Sequence, residues 1–253
     1  MKNHETPLHT INQKNGSIVA SIIIGFCFIF GLWLYGQSAS SDEVITITGS
    51  AKETVMADFA NYSLTFDKTY PADMGLPKML EDFNKKTGII TGYLKYKTIA
   101  PEKIKTWDIS IQKIYEMNGY TVNTQNVISY TLSRTISADI TDLELAKKIS
   151  NDTTNKAAQN DIALINSTVN YQYTKLEELR PKLLKLATED AKVKAEAMAA
   201  STGRRIGSLR AGRMGVVQVL AKNSIEVSDY GSYDLSSVEK DVFVTVNVTF
   251  ELK

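Results

Sequence analysis

Residues 18–35 are almost wholly apolar, and this run constrains the chain more than any other feature of the sequence. It contains one serine, Ser21, and no charge. A helix of this length covers most of the hydrocarbon core of a bilayer, which needs about 20 residues and accepts as few as about 17. Trp33 and Tyr35 end the run, and their amphipathic rings favour the membrane–water interface. The sequence therefore predicts a transmembrane helix ahead of the folded region.

The charges on either side of the run predict its orientation. Lys2 and Lys14 precede it, whereas the segment after it begins with Asp42 and Glu43 and has no basic residue before Lys52. Basic residues favour the cytoplasmic side of a membrane. We therefore expect a single-pass protein of the inner (cytoplasmic) membrane. Its cytoplasmic tail is residues 1–17, its linker is residues 36–43, and its periplasmic domain is residues 44–253.

A cleaved signal peptide is the alternative interpretation of the same segment. The small residues at 37–41 suit a signal peptidase. The apolar run is longer than the usual 7–15 residues of a signal peptide, and the polar region before it is long. Both features favour a retained anchor.

The charge balance and the missing residue types exclude several functions of the folded region. The formal net charge is +1, and the predicted tail, with two lysines and one glutamate, accounts for it. A neutral domain has no broad positive field for nucleic acid. The single cysteine, Cys27, lies in the apolar run, and both histidines, His4 and His9, precede it. We therefore expect no thiol or imidazole chemistry, no cofactor and no metal site in this region.

Periodicity along the remaining chain predicts an α+β fold. Two-residue alternation marks strands and near-helical spacing marks helices. The predicted order is ββαββαβαββ, with a mixed or antiparallel sheet and the helices packed on one side. The strands are predicted at 44–49, 59–66, 107–115, 128–136, 162–173, 206–219 and 242–252, and the helices at 76–95, from 143 onward and at 181–202.

Local signals predict where several of these elements begin and end. Gly49 is expected to close the first strand and Pro181 to open the longest helix. Thr141 and Glu144 have the spacing of a capping box. Gly203 is predicted as the C-terminal cap of the long helix, whose alanine stripe is expected to pack on a sheet.

Short motifs give weak chemical signals. Ser237 and Lys240 fit S-x-x-K and Lys86 begins K-T-G, but their order is reversed relative to penicillin-binding proteins and the middle element is missing. Acidic residues in the loop 222–240 lack the spacing of a calcium-binding EF-hand. Tyr230 and Tyr233 in the same loop are better candidates for contact with a partner, since tyrosine is enriched at interfaces.

Three ordered blocks resemble the SIMPL-domain family of the bacterial envelope. They are residues 45–49 followed by Asp58-Phe59-Ala60, residues 102–106 followed by Gly119-Tyr120, and the alanine-rich block 187–199 with Gly203 and Gly207. Ala57 departs from the proline that usually precedes the aspartate. The resemblance implies an envelope protein, often linked to oxidative-stress defence, with ring or channel-like oligomers in some members. It implies no catalytic residue.

These observations favour one function and keep two others open. We expect a non-enzymatic, membrane-anchored envelope module that forms a homo-oligomer or binds another envelope protein. The alternative is a periplasmic binding protein for a small ligand or peptide, held between sheet and helices. An enzyme that uses only Asp, Glu, Ser, Tyr or Lys is the third hypothesis.

Overall fold

The computed structural model describes residues 23–33, 43–118, 122–224 and 231–253, and these residues form an α+β fold. After a helical segment at 23–33, here α1, the elements follow in chain order. They are β1 (Val44–Met56), β2 (Phe59–Pro71), a 3-10 turn (Ala72–Met74), α2 (Leu76–Tyr96), a second 3-10 turn (Pro101–Lys103), β3 (Ile104–Thr106), β4 (Ser110–Asn118), β5 (Val122–Ile140), α3 (Leu143–Ala158), β6 (Ala163–Gln172), α4 (Leu176–Ser201), β7 (Ile206–Met214), β8 (Gln218–Ala221) and β9 (Glu239–Leu252).

Helix α1 covers the middle of the predicted membrane segment. Its large apolar side chains are 56–75% exposed, and Trp33 stacks on Phe30 with ring centroids 5.9 Å apart. Residues 18–22, Tyr35 and the predicted tail lie outside the described residues, as do residues 36–42 of the predicted linker. Within the part that is described, no helix has both the length and the apolar character needed to cross a membrane.

Two separate antiparallel sheets replace the one predicted sheet. Sheet A has the order β1-β9-β7, with β8 also paired to β9, and sheet B has the order β3-β5-β2-β6, with β4 also paired to β5. Every ladder between the described strands is antiparallel. A single isolated bridge among the described residues, between Val219 and Tyr233, is parallel. Of the two predicted sheet types, mixed and antiparallel, the ladders therefore confirm the antiparallel one.

Each sheet has its own apolar core. The core of sheet B packs against α2 and α3, through residues such as Phe66, Phe83 and Ile149, and the rings of Phe66 and Phe83 stack at 4.9 Å. The core of sheet A packs against α4 through Ala187, Ala191 and Ala195. The prediction that the alanine stripe packs on a sheet is confirmed.

Gly49 does not end the first strand, which continues for seven more residues to Met56. A Cβ atom at this position would lie 2.6 Å from the Cβ of Ala191 and closer still to the backbone oxygen of Ala187. Glycine is needed here because α4 lies directly on the strand. Its role is close approach rather than strand termination.

Three further predictions about element ends were wrong. Helix α4 begins at Leu176, with Pro181 inside it, because Leu179 is buried in the core beneath the first turns. Asp142, rather than Thr141, caps α3 by accepting hydrogen bonds from the N–H groups of Glu144 and Leu145. The predicted strand at 206–219 divides into β7 and β8, and β3 was not predicted. Gly203 has φ of 73°, which confirms its predicted place after the helix.

Substitution of Gly49 by alanine tests the contact between α4 and sheet A. We expect the added methyl group to force the helix from the sheet and to lower the free energy of unfolding by about 1–3 kcal/mol or more. Chemical denaturation of the full chain in detergent measures this change.

Gly88→Ala in α2 is the matched control. Nothing lies within 4 Å of a Cβ atom at this position, and we expect it to stabilise the protein by about 0.5–1 kcal/mol, as alanine does in a helix interior. Equal effects of the two substitutions would contradict the close packing of α4.

Candidate functional site

Of the two tyrosines predicted to contact a partner, the structure describes one, Tyr233. Residues 225–230, and with them Tyr230, lie outside the described residues. Tyr233 is 42% exposed. Its hydroxyl donates to the backbone oxygen of Tyr173 at 3.1 Å and accepts from the Tyr173 N–H at 3.0 Å. Tyr233 is therefore partly open to solvent while its hydroxyl is held by the backbone of Tyr173.

Beside Tyr233 lies a buried ion pair. The side chain of Lys240 is fully buried, and its Nζ lies 3.0 Å from Asp234 Oδ2 and 5.9 Å from the centre of the Tyr233 ring. The same Nζ donates to the backbone oxygen of Asp234 at 2.5 Å. Ser236 and Ser237 also donate hydroxyl and backbone hydrogen bonds to this carboxylate. A buried lysine of this kind needs such partners, because an unpaired buried charge is strongly destabilising.

These contacts fix the ionisation of Asp234. Its partial burial opposes the charged form, but the hydrogen bonds from Ser237, Ser236 and Lys240 outweigh that effect and hold the pKa of Asp234 well below its ordinary value. The carboxylate therefore stays ionised near neutral pH and is a poor proton donor. The S-x-x-K pattern in the sequence marked Ser237 and Lys240 but gave no sign of Asp234 as their common partner.

Backbone hydrogen bonds make the segment 231–238 a junction between the two sheets. Its residues exchange bonds with Val219 of β8 at 2.7 Å, and Leu235 accepts from Tyr171 of β6 at 2.8 Å. Val238 accepts from Ala57, between β1 and β2, at 2.8 Å. The Lys240–Asp234 pair thus supports the connection between sheet A and sheet B.

The residues of the remaining sequence motifs form hydrogen bonds and ion pairs within the fold. Lys86 donates to the backbone oxygens of Asn160 and Asp161 at the end of α3, at 3.2 and 2.9 Å, so K-T-G is not joined to S-x-x-K. Glu239 pairs with Lys222, and Asp241 pairs with Lys52. Among the described residues, no group of three His, Cys, Asp or Glu side chains could hold a metal ion.

The far end of sheet B carries a two-stranded ribbon, which we call the arm. Strand β5 pairs with β2 only as far as Ser129 opposite Pro71, whereas β4 and β5 remain paired as far as Asn118 opposite Val122. The arm comprises residues 114–118 and 122–128. Its apolar side chains Ile114, Met117 and Ile128 are 36%, 66% and 48% exposed. An isolated two-stranded hairpin is only marginally stable in water, and clustered exposed apolar side chains mark contact sites.

An apolar groove of about 320 Å³ lies between α4 and β7. Val246 and Val248 of β9 line it, together with Leu184 of α4 and Leu209 and Met214 of β7. Leu209 is 58% exposed. The groove exists because α4 lies mainly over β1 and β9 and contacts β7 less than either.

Helix α4 shields the opposite edge of sheet A. Asp190 of the helix accepts a hydrogen bond from the Ser50 N–H of β1 at 2.8 Å. Lys182 of the helix forms an ion pair with Glu53 of β1 at 2.6 Å. Among the described residues, no helix covers the edge at β7 in this way, so its backbone is the more accessible one for strand pairing.

A comparison with protein families gives one match. Residues 45–250 match the SIMPL family, which is described as a protein of unknown function (DUF541). No curated protein matches the chain. The family assignment expected from the three sequence blocks is therefore confirmed, and it assigns no reaction or ligand.

Substitution of Asp234 by asparagine tests the buried ion pair. We expect the free energy of unfolding at neutral pH to fall by about 3–5 kcal/mol, because Lys240 then keeps a buried charge without its carboxylate. Asp73→Asn, at an exposed position, is the control, with an expected change within about 0.5 kcal/mol. An equally small change for Asp234→Asn would contradict the structural role of the pair.

Acid titration of stability tests the pKa of the same residue. Because folding lowers the pKa of Asp234, its contribution is fully present above the ordinary pKa near 4 and is lost as the pH falls below it. Denaturation midpoints between about pH 5 and pH 2 should therefore fall more steeply for the natural chain than for Asp234→Asn. Parallel curves would show that Asp234 titrates normally.

Proposed function

This chain belongs to the SIMPL family, and we propose that it is a non-enzymatic envelope module that associates with other copies of itself. In this proposal residues 18–35 hold the chain at the inner membrane and the domain at 44–253 lies on the periplasmic side. The charge asymmetry around the apolar run supports this orientation. A contribution to oxidative-stress defence would come through assembly rather than thiol chemistry, because the only cysteine is Cys27.

The arm is the observation that carries the proposal. Met117 and Ile128 are exposed on a ribbon that pairs with no third strand in the part of the chain that the structure describes. Burial of apolar side chains gains roughly 25 cal/mol per Å² of apolar surface, so a second protein surface would stabilise the arm. A free strand edge offers backbone hydrogen bonds to the same partner.

We propose that the groove between α4 and β7 receives the arm of another copy. The arm extends from the end of sheet B that is farthest from the junction, whereas the groove lies on sheet A. Strand β2, which has 13 residues, spans about 40 Å between the junction and the base of the arm. Contact between an arm and a groove is therefore more readily made between two copies than within one.

A peptide-binding function is the second candidate, and the same groove favours it. An extended peptide could pair with the open edge of β7 and place alternate side chains against Val246 and Val248. This candidate needs no role for the arm, which distinguishes it from self-association.

Cysteine crosslinking tests the contact between arm and groove. In the Cys27→Ser background the chain has no cysteine, because Cys27 is the only one. We expect Met117→Cys and Leu209→Cys chains, mixed in detergent and oxidised, to form a disulfide-linked dimer, since a disulfide requires Cα atoms within about 7 Å. Non-reducing electrophoresis measures the yield.

The control replaces Leu209→Cys by Val193→Cys, which is 63% exposed on α4 but does not line the groove. Its yield with Met117→Cys should be several-fold lower. Equal yields, or oligomers that form without any arm–groove crosslink, would contradict the proposed contact. Loss of crosslinking on addition of an extended peptide would favour the second candidate.

Protease protection tests the proposed location. In spheroplasts, protease added outside should digest residues 44–253 and leave an N-terminal fragment in the membrane pellet. The matched variant carries Ser38→Lys and Ser40→Lys together with Lys2→Ser and Lys14→Ser. These substitutions reverse the difference in positive charge between the two sides of the apolar run. Its domain should be less accessible to protease. A domain that is protected in intact spheroplasts of the natural chain would overturn the periplasmic assignment.

A further inference from the structure

The face of sheet B that points away from α2 and α3 has an unusual composition. In a strand, alternate side chains point to opposite faces. The buried residues of the paired parts of β2 and β5 that enter the core are mostly even-numbered, for example Leu64 and Leu132. The odd-numbered positions from 61 to 69 in β2 and from 129 to 139 in β5 lie on the other face. Every one of them is Ser, Thr, Asn or Asp.

The neighbouring strands extend this polar face. Register places Thr168 of β6 beside Ser63 and Gln112 of β4 beside Thr131. At the usual spacings of antiparallel sheets, four strands and nine residues give a face of roughly 14 by 27 Å. Most of these residues are partly exposed.

Charged side chains are few on this face: Asp67 lies on β2, and Asp139 and Lys105 lie together toward one end of the face. Lys105 Nζ lies 3.5 Å from Asp139 Oδ2, and that carboxylate also accepts a hydrogen bond from Asn61 at 2.7 Å. The exposed side of α4 is different, because it carries ion pairs such as Lys192–Glu196. The centre of the polar face instead holds hydroxyl pairs, including Thr65–Thr135 and Thr69–Thr131, each at 2.8 Å. Each hydroxyl keeps a further acceptor site for a ligand.

An exposed tryptophan lies at the edge of the same face. The backbone N–H of Trp107 donates to the backbone oxygen of Thr135 at 3.0 Å and continues the register of β3 against β5. This register places Trp107 on the side of Thr135, away from the core. Its side chain is among the exposed large apolar groups, at 62%. A flat aromatic ring beside hydroxyl and amide groups offers both an apolar surface and hydrogen bonds.

We propose that this face binds a neutral, extended polysaccharide strand. Trp107 stacks on the C–H face of a sugar ring, and the threonine, serine and asparagine side chains exchange hydrogen bonds with sugar hydroxyl and acetamido groups. An anionic polymer or a nucleic acid would require clustered Lys or Arg, and the centre of this face has none. An apolar peptide would require apolar pockets, whereas the odd-numbered positions 61–69 of β2 and 129–139 of β5 are all polar.

Fluorescence titration with chitohexaose, a neutral chain of N-acetylglucosamine, tests the proposal. The chain has two tryptophans, so in the full chain with Trp33→Phe all tryptophan emission comes from Trp107. We expect a saturable change in that emission. Thr131→Lys, which places a long charged side chain in the centre of the face, should weaken the affinity about tenfold or more.

Thr249→Lys on sheet A is the matched control. It also removes a hydroxyl pair between neighbouring strands, Thr46–Thr249 at 2.9 Å, and should leave the affinity for chitohexaose unchanged. Calorimetry of Trp107→Ala supplies a readout without fluorescence, with the same expected loss of affinity. The proposal is overturned by the absence of a saturable change, by equal weakening from both lysine substitutions, or by tighter binding of the anionic polymer polygalacturonate.

Discussion

Strand β5 pairs with β2 along Ser129–Ile140 and with β4 along the other edge, and its greater length shapes half of the molecule. Leu132 and Ile136 of the paired part enter the core of sheet B. Beyond Ser129, β5 pairs with β4 alone among the residues that the structure describes. Because backbone N–H and C=O groups at a free edge readily pair with another chain, the overhang gives the protein an exposed surface suited to association. A slip of one residue in the pairing with β2 would move Leu132 and Ile136 out of the core.

The position of α4 determines which edge of sheet A is accessible. Gly49 lets α4 lie directly on β1, and Asp190 and Lys182 of that helix bind the backbone and side chains of β1. The helix therefore covers one edge and leaves β7 accessible beside an apolar groove. The proposed contact between the arm of one copy and the groove of the next would join unlike surfaces. Such heterologous contacts close into rings or continue as filaments, depending on the rotation between copies.

Periodicity was sufficient to predict the fold class, the limits of α2 to within one residue and the buried alanine stripe, because these depend on residues close in sequence. The division into two sheets depends on the pairing of β1 with β9, in which Val44 lies opposite Glu251. These residues are about 200 positions apart in the chain, and a single sequence carries no signal for such a pairing. Pro181 was misleading because the burial of Leu179 outweighs the usual preference of proline for a helix start.

The candidate sites were less accessible to prediction than the fold. Tyr233 was predicted as a partner contact from its residue type alone. The ion pair of Lys240 depends instead on a contact with Asp234 that only the folded chain makes.

Hydrogen–deuterium exchange of the full chain at several protein concentrations tests self-association through the arm most directly. Self-association predicts that the amides of the arm, at 114–118 and 122–128, exchange more slowly as the concentration rises, together with those of β7. Arm amides that exchange at one rate at all concentrations, while the molar mass increases, would contradict it.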